Sequence, residues 1–266
     1  MKIPFYQIDA FSNHIFSGNP AAVCPLKEWL EDSLLQAIAQ ENNLSETAFF
    51  VPEGNGYHIR WFTPVAEVDL CGHATLATAF VIFNYFDTLS DHVIFYSKSG
   101  ELTVVKEEEL LSMDFPSQPP VLCEAPGDLL EGIKKKPLEV LCSEDYVAVF
   151  SSENDIIELY PDMALLKKLD LRGVIITAQG KNVDFVSRFF APKFGVNEDP
   201  VTGSAHCALT PYWANKLKKK DLHAHQVSQR GGELFCKDRG NRVIISGKAV
   251  QFMEGSITLI RKGVGQ

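Results

Sequence analysis

At 266 residues the chain is long enough for one large domain or two of ordinary size. A balance of 45% hydrophobic and 22% charged residues is that of a soluble globular protein, and a net charge of -9 argues against nucleic acid or an anionic membrane as a partner. Six cysteines without any C-x-x-C spacing fit a reduced, cytoplasmic setting better than a disulfide framework or a zinc site, and no apolar run has the length of a signal peptide or a membrane span.

Taken in order, residues 3–11 alternate well enough for a first strand, and Gly18-Asn19-Pro20 marks a turn before a short strand at 21–24. From Glu28 to Asn43 the pattern is helical, with Leu30, Leu34, Leu35 and Ile38 on one face and Asn42-Asn43 closing it. Two β-rich runs, 44–51 and 57–62, flank Asn55-Gly56 and predict a hairpin. Gly72 to Phe86 is apolar on nearly every side, which predicts an enclosed helix. Strands are expected at 93–96, 102–105 and 111–115, and Pro116, Pro119, Pro120 and Pro126 mark the crossing into a second half. That half offers strands at 138–142, 146–150, 173–178, 184–190, 226–228, 233–236 and 242–246, with a short helix near 162–169. A second buried helix is expected to start at Gly203-Ser204, with Pro211 kinking it or ending it early. The last segment, 256–261, is a candidate to return and pair with the first domain.

The chain repeats itself. Arg60-Trp-Phe-Thr-Pro64 is echoed by Arg188-Phe-Phe-Ala-Pro192, Gly72-His-Ala-Thr-Leu-Ala77 by Gly203-Ser-Ala-His-Cys-Ala208, and Gly100-Glu-Leu102 by Gly232-Glu-Leu234. The offsets drift only from 128 to 132, so the echoes describe two similar halves. We divide the chain into 1–118 and 119–266, an α+β architecture with a curled, mostly antiparallel sheet around one buried helix in each half and a cleft between them.

Chemistry is sought where the repeat is broken. Glu46 maps onto Gly173 and begins an otherwise apolar strand, where a desolvated carboxyl suits acid/base work; an edge-strand glutamate facing water is the commoner fate of such a residue. His73 stands where the second half has Ser204, and Asp199 reads as a loop acid capping the second helix. His223-Ala-His225 is a close histidine pair with no ligand set nearby in the sequence, and reads as surface.

These motifs resemble those of the PhzF-like (phenazine biosynthesis) isomerase family over the full length: Asp9-Ala-Phe11 with Gly18-Asn-Pro-Ala-Ala-Val23, Asn43-Leu-Ser-Glu-Thr-Ala-Phe49, Thr63-Pro64 through Gly72-His-Ala-Thr75, and Phe190-Ala-Pro through Glu198-Asp-Pro-Val-Thr-Gly-Ser204. The resemblance implies a diaminopimelate-epimerase-type fold, a homodimer, and proton shuttling by Glu46 with help from His73, Asp199 and Ser204. It implies no cofactor, and the chain has no P-loop, Rossmann glycine pattern or zinc spacing. Two helix starts, with the N–H groups of Gly72, His73 and Ala74 and of Gly203, Ser204 and Ala205, would hold a small carboxylate substrate. Two alternatives stand beside this reading. One is a two-thiol amino-acid epimerase on the same fold, for which Cys71 is in place but the matching Val201-Thr202 has no thiol and Cys207 lies inside the helix. The other is a binding protein that keeps the cleft without turnover.

Overall fold

The computed structural model describes residues 1–259 and begins with β1 (Lys2–Ala10), β2 (Asn19–Pro25) and α1 (Asp32–Asn42). Asn43, in the left-handed region at φ 48°, closes α1, as the Asn-Asn pair predicts. The helix starts four residues later than its pattern suggests. Residues before it instead lay Trp29 against His58 and the Arg60 guanidinium, with centres 5.0 and 5.2 Å away. The hairpin follows as β3 (Glu46–Glu53) and β4 (Gly56–Phe62), but its two turn residues are Gly54 and Asn55, because Gly54 takes φ +58° and Glu53 pairs with Gly56. Gly56 is needed for a different reason: a Cβ there would meet the Ile94 carbonyl oxygen at 2.3 Å.

After β5 (Glu67–Val68) comes α2 (Gly72–Tyr85), in which every residue from His73 to Ala79 and then Val81, Ile82 and Phe83 are buried. Its apolar circumference explains this: each large side chain removed from water contributes about 1.5–3 kcal/mol. Strands β6 (His92–Ser97), β7 (Gly100–Glu107) and β8 (Leu110–Pro116) complete the first series. The chain then runs through β9 (Val121–Leu122), α3 (Gly127–Ile133), β10 (Glu139–Cys142), β11 (Tyr146–Val149), α4 (Glu153–Ile157), α5 (Met163–Leu166), β12 (Val174–Gln179), β13 (Phe185–Ala191) and β14 (Val196–Asp199). Last come α6 (His206–Leu217), β15 (Asp221–Gln226), β16 (Gly232–Asp238), β17 (Arg242–Gly247) and β18 (Ala249–Thr258).

The duplication is written in the pairing. β2 runs parallel to β3, β3 antiparallel to β4, β4 antiparallel to β5 and parallel to β6, and β6 antiparallel to β7. β11, β12, β13, β14, β15 and β16 repeat the same relations in the same order. Thr47 opposes Phe62 as Val174 opposes Phe190, so the register itself sets Glu46 against Gly173. Contacts group residues 1–16, 20–113 and 248–259 in one unit, and 17–19 with 114–247 in the other. The change of unit thus falls five residues before the boundary read from the prolines, and β18 belongs with the first unit, where it pairs antiparallel to β1 from Lys2↔Thr258 to Ala10↔Ala249. Positions 260 and 261 of the expected final segment lie outside the described residues.

Four further expectations need correction. The strand placed at 226–228 is β15, whose inward residues Leu222, Ala224 and Gln226 include a single large apolar side chain to announce it. Asp199 ends a strand instead of standing in a loop. The second buried helix starts at His206, after a turn at 203–205. Nor does Pro211 end it, since α6 continues to Leu217. Proline has no N–H to give the Cys207 carbonyl four residues back, and the backbone N–H of Gln118 donates to that oxygen instead at 3.0 Å.

Candidate active site

In the first unit Glu46 opens β3 opposite Ala21, and Cys71, in extended conformation, precedes α2. His73 is the second residue of that helix, and because α2 is enclosed its ring is buried too, with 7% of the side chain exposed. These elements bring His73 Nε2 to 3.1 Å from Glu46 Oε2 and Nδ1 to 3.5 Å from the Cys71 sulfur. The Glu46 side chain is 18% exposed, so the edge-strand glutamate in water is not what the fold makes of it. Burial alone would push His73 down. The neighbouring Cys71 and Glu46 outweigh it and hold the imidazole well above its ordinary value. Burial, followed by the Glu46 charge, pushes the Cys71 thiol up. At neutral pH the sulfur therefore keeps its proton.

Carboxylate, thiol and imidazole offer atoms within 4.8 Å of one another, a set that could hold a metal ion. The protonation pattern runs against that use: a thiol held protonated and an imidazole held charged must both lose protons before they ligate. The same pattern suits a proton-transfer pair. Around it, the first turn of α2 (Gly72, His73, Ala74) forms the positive end of that helix.

The second unit builds a different arrangement on the matching elements. The Asp199 carboxylate accepts hydrogen bonds from Asn19 Nδ2 at 2.8 Å and from Thr202 Oγ1 at 2.5 Å. Buried Gln226 braces the same loop, accepting from the Thr202 N–H and donating to the Asp199 carbonyl. Asp199 is thus bound by side chains rather than spent as a helix cap. Ser204 Oγ accepts from Arg172 at 3.1 Å, and Arg172 is held in turn by buried Asp145 through a two-toothed contact at 3.0 and 2.5 Å. Gly203, Ser204 and Ala205 form the turn whose carbonyls receive the N–H groups of His206, Cys207 and Ala208. Ser204 and Gly203 therefore lie just ahead of the helix rather than within it.

Sequence reasoning singled out Glu46, His73, Asp199 and Ser204 but not Arg172, Asp145, Asn19 and Gln226, whose partners lie far off in the sequence. It placed Cys71 as one thiol of the rival epimerase, with no stated contact to His73. The structure places that thiol on the histidine. Thr202 holds the matching position in the second unit, and Cys207, buried in α6, has its thiol pushed up to about 12 mainly by burial. The second unit has no thiol at the place that matches Cys71, which leaves the two-thiol epimerase without its partner group.

The phenazine biosynthesis-like protein family model (PhzC-PhzF) matches residues 8–255. The chain belongs to this family. An uncharacterized isomerase of Pseudomonas aeruginosa is 53% identical over 259 residues, covering 97% of this chain and all of the relative. A phenazine biosynthesis-like domain-containing protein of mouse is 41% identical over 288 residues, again across 97% of this chain and the whole relative. Among solved structures, a PhzF-family protein of Enterococcus faecalis superposes with a TM-score of 0.95 at 49% identity, covering 97% of this chain and all of that one. The α+β fold of mixed, curled sheets is therefore that of the PhzF and epimerase-like proteins, and relatives in the family carry the name isomerase. Among the described residues no helix is long and apolar enough to cross a membrane.

Proposed function

We propose that the protein is a cofactor-independent isomerase that moves a proton on a small carboxylate-bearing substrate, with Glu46 as general acid/base. The observation that carries this reading is the 3.1 Å approach of His73 Nε2 to the buried oxygen of Glu46. A carboxylate beside an imidazolium in a site largely closed to water can take a proton from carbon without losing charge balance. The proton leaves a carbon made acidic by a neighbouring unsaturated group, and Glu46 becomes a neutral acid. The negative charge then rests on the substrate, where the imidazolium and the N–H groups of residues 72–74 favour it. Glu46 returns the proton to another carbon of the same framework, and no redox or group-transfer step is needed. By the family resemblance, the same reaction draws on Asp199 and Ser204 to orient the substrate.

A positioned acid/base contributes about 10²–10⁴ in rate. Glu46→Gln, nearly isosteric, should therefore lower turnover by that factor while leaving the circular dichroism spectrum and melting temperature close to wild type. The assay is deuterium uptake from solvent into a panel of small cyclic unsaturated carboxylic acids. A folded variant that keeps a tenth or more of the rate would remove Glu46 from the role.

A further inference from the structure

His223 and His225 sit two apart on β15, so both side chains leave the same face of the strand. The buried residues of that strand, Leu222, Ala224 and Gln226, point the other way. In the antiparallel pairing with β16, Glu233 lies directly opposite His225 and diagonal to His223, on the histidine face. The histidine pair read from the sequence as having no ligand set thus acquires one from the neighbouring strand. His223 Nε2 is 2.7 Å and His225 Nε2 is 3.7 Å from the same carboxylate oxygen, Glu233 Oε1. One ligating atom from each of the three residues lies within 4.8 Å of the others.

We propose that His223, His225 and Glu233 form a binding site for a divalent first-row transition-metal ion of the zinc class. A tetrahedral ion with bonds of about 2.0–2.1 Å separates its ligand atoms by roughly 3.3 Å, and the two distances above bracket that value. Only small side-chain rotations separate the present arrangement from a coordinating one. Two imidazoles and one carboxylate are borderline donors that suit zinc, cobalt, nickel or copper better than magnesium or calcium. All three side chains are partly exposed, at 34, 43 and 36%, which gives the ion a route in and leaves water the fourth position.

The support is rigid. β15 is flanked by β13 and β16, and β16 by β15 and β17, so neither carrying strand is a free edge. The His223 ring is stacked on Phe235, 4.8 Å between centres and 4° from parallel, which fixes the plane in which its nitrogen points. The neighbouring cation, Lys219, is occupied by Asp184 at 2.7 Å. That same carboxylate accepts the backbone N–H of His223. The site shares no residue with Glu46, Cys71 and His73 and does not depend on the proposed isomerase reaction.

Cobalt(II) titration of the metal-stripped protein tests the assignment, because the donor sets of the two candidate clusters differ. Binding at His223, His225 and Glu233 gives visible ligand-field absorption without sulfur-to-cobalt charge transfer, whereas binding at Cys71 brings the charge-transfer band. We expect one equivalent with the first signature, weakened at least about tenfold by His223→Ala or His225→Ala and competed by zinc. Should an alanine variant fail to fold, zinc should still protect His223 and His225 of the wild-type protein from diethylpyrocarbonate, read by mass spectrometry. Cobalt affinity unchanged in both folded variants, a signature carrying only the thiolate band, or absence of protection by zinc would each overturn the site.

Discussion

The two helix starts, Cys71-Gly-His-Ala-Thr75 and Thr202-Gly-Ser-Ala-His206, are built on one plan and used differently. In both, the fifth residue turns back on the first: Thr75 Oγ1 donates to the Cys71 carbonyl at 2.6 Å, and His206 Nδ1 lies 2.8 Å from the Thr202 carbonyl. In both, the preceding strand carries an arginine locked onto a glutamate, Arg60 on Glu67 and Arg188 on Glu198, each with two hydrogen bonds of 2.7–3.0 Å. Both guanidiniums also lie about 5 Å over the ring two residues on, Phe62 and Phe190. What is shared is scaffold. What differs is chemistry, because only the first unit has a carboxyl and an imidazole at the matching places. The second unit could not accept that carboxyl as it stands: a Cβ at Gly173 would come within 2.6 Å of the Phe189 ring and 2.8 Å of the Phe190 carbonyl. Phe189 thus occupies in the second unit the space that a side chain matching Glu46 would need.

The comparison is sharpened most by removing the two arginines in turn. Arg188 also donates to the carbonyls of Ile156 and Leu159 at 2.8 and 2.7 Å, whereas the further partner of Arg60 is Asp32, 77% exposed. Arg188→Met should cost about 3–5 kcal/mol in urea unfolding, since it leaves Glu198 without its guanidinium and removes a donor from two buried carbonyls, and Arg60→Met should cost clearly less. Equal losses would mean the extra bonds of Arg188 contribute nothing.

A second test concerns pH. Burial lowers His206 to about 4, with its bond to Thr202 opposing, against about 6.5 for an unfolded histidine. A depressed histidine contributes stability that is complete above pH 6.5 and is lost as pH falls from 6.5 toward 4, on the order of 3 kcal/mol. His206→Thr, which installs the residue of the first unit, should flatten that part of the stability–pH curve, measured by denaturant midpoints between pH 4 and 7. A slope unchanged in the variant would assign the acid sensitivity to other groups.

The smallest effect is expected at Cys71. Its thiol is held protonated beside His73, and a hydroxyl can occupy the same position next to Nδ1. Cys71→Ser should change turnover less than about tenfold, a loss under 1.4 kcal/mol. A loss of two or three orders of magnitude in a folded variant would make the thiol a reacting group.

Much of this was legible in the residues. The repeat, the enclosure of α2 and the Glu46–Gly173 mismatch need only local pattern and offset, and the register of the sheets reproduces the mismatch. The partners were not legible, because a strand's neighbours are fixed by pairing rather than by spacing. Glu67 and Glu198 follow their arginines by seven and ten residues, and only the hairpin geometry turns each back onto its partner. Glu233 is invisible beside His225 until β15 and β16 are in register. The start of α6 was misplaced because Gly203-Ser204 looks like a cap, and the tight turn before His206 uses those same residues.

The pairing of β1 with β18 bears on the order in which the protein can be made. Met1 and Leu259 exchange backbone hydrogen bonds across 258 positions of chain. During synthesis the first unit therefore waits, with one flank of its opening strand uncovered, while residues 114–247 emerge and can close on their own contacts. The half that carries Glu46 and His73 begins first and finishes after the other. Its exposed strand is the place where a ribosome-bound chain most needs protection from pairing with a stranger.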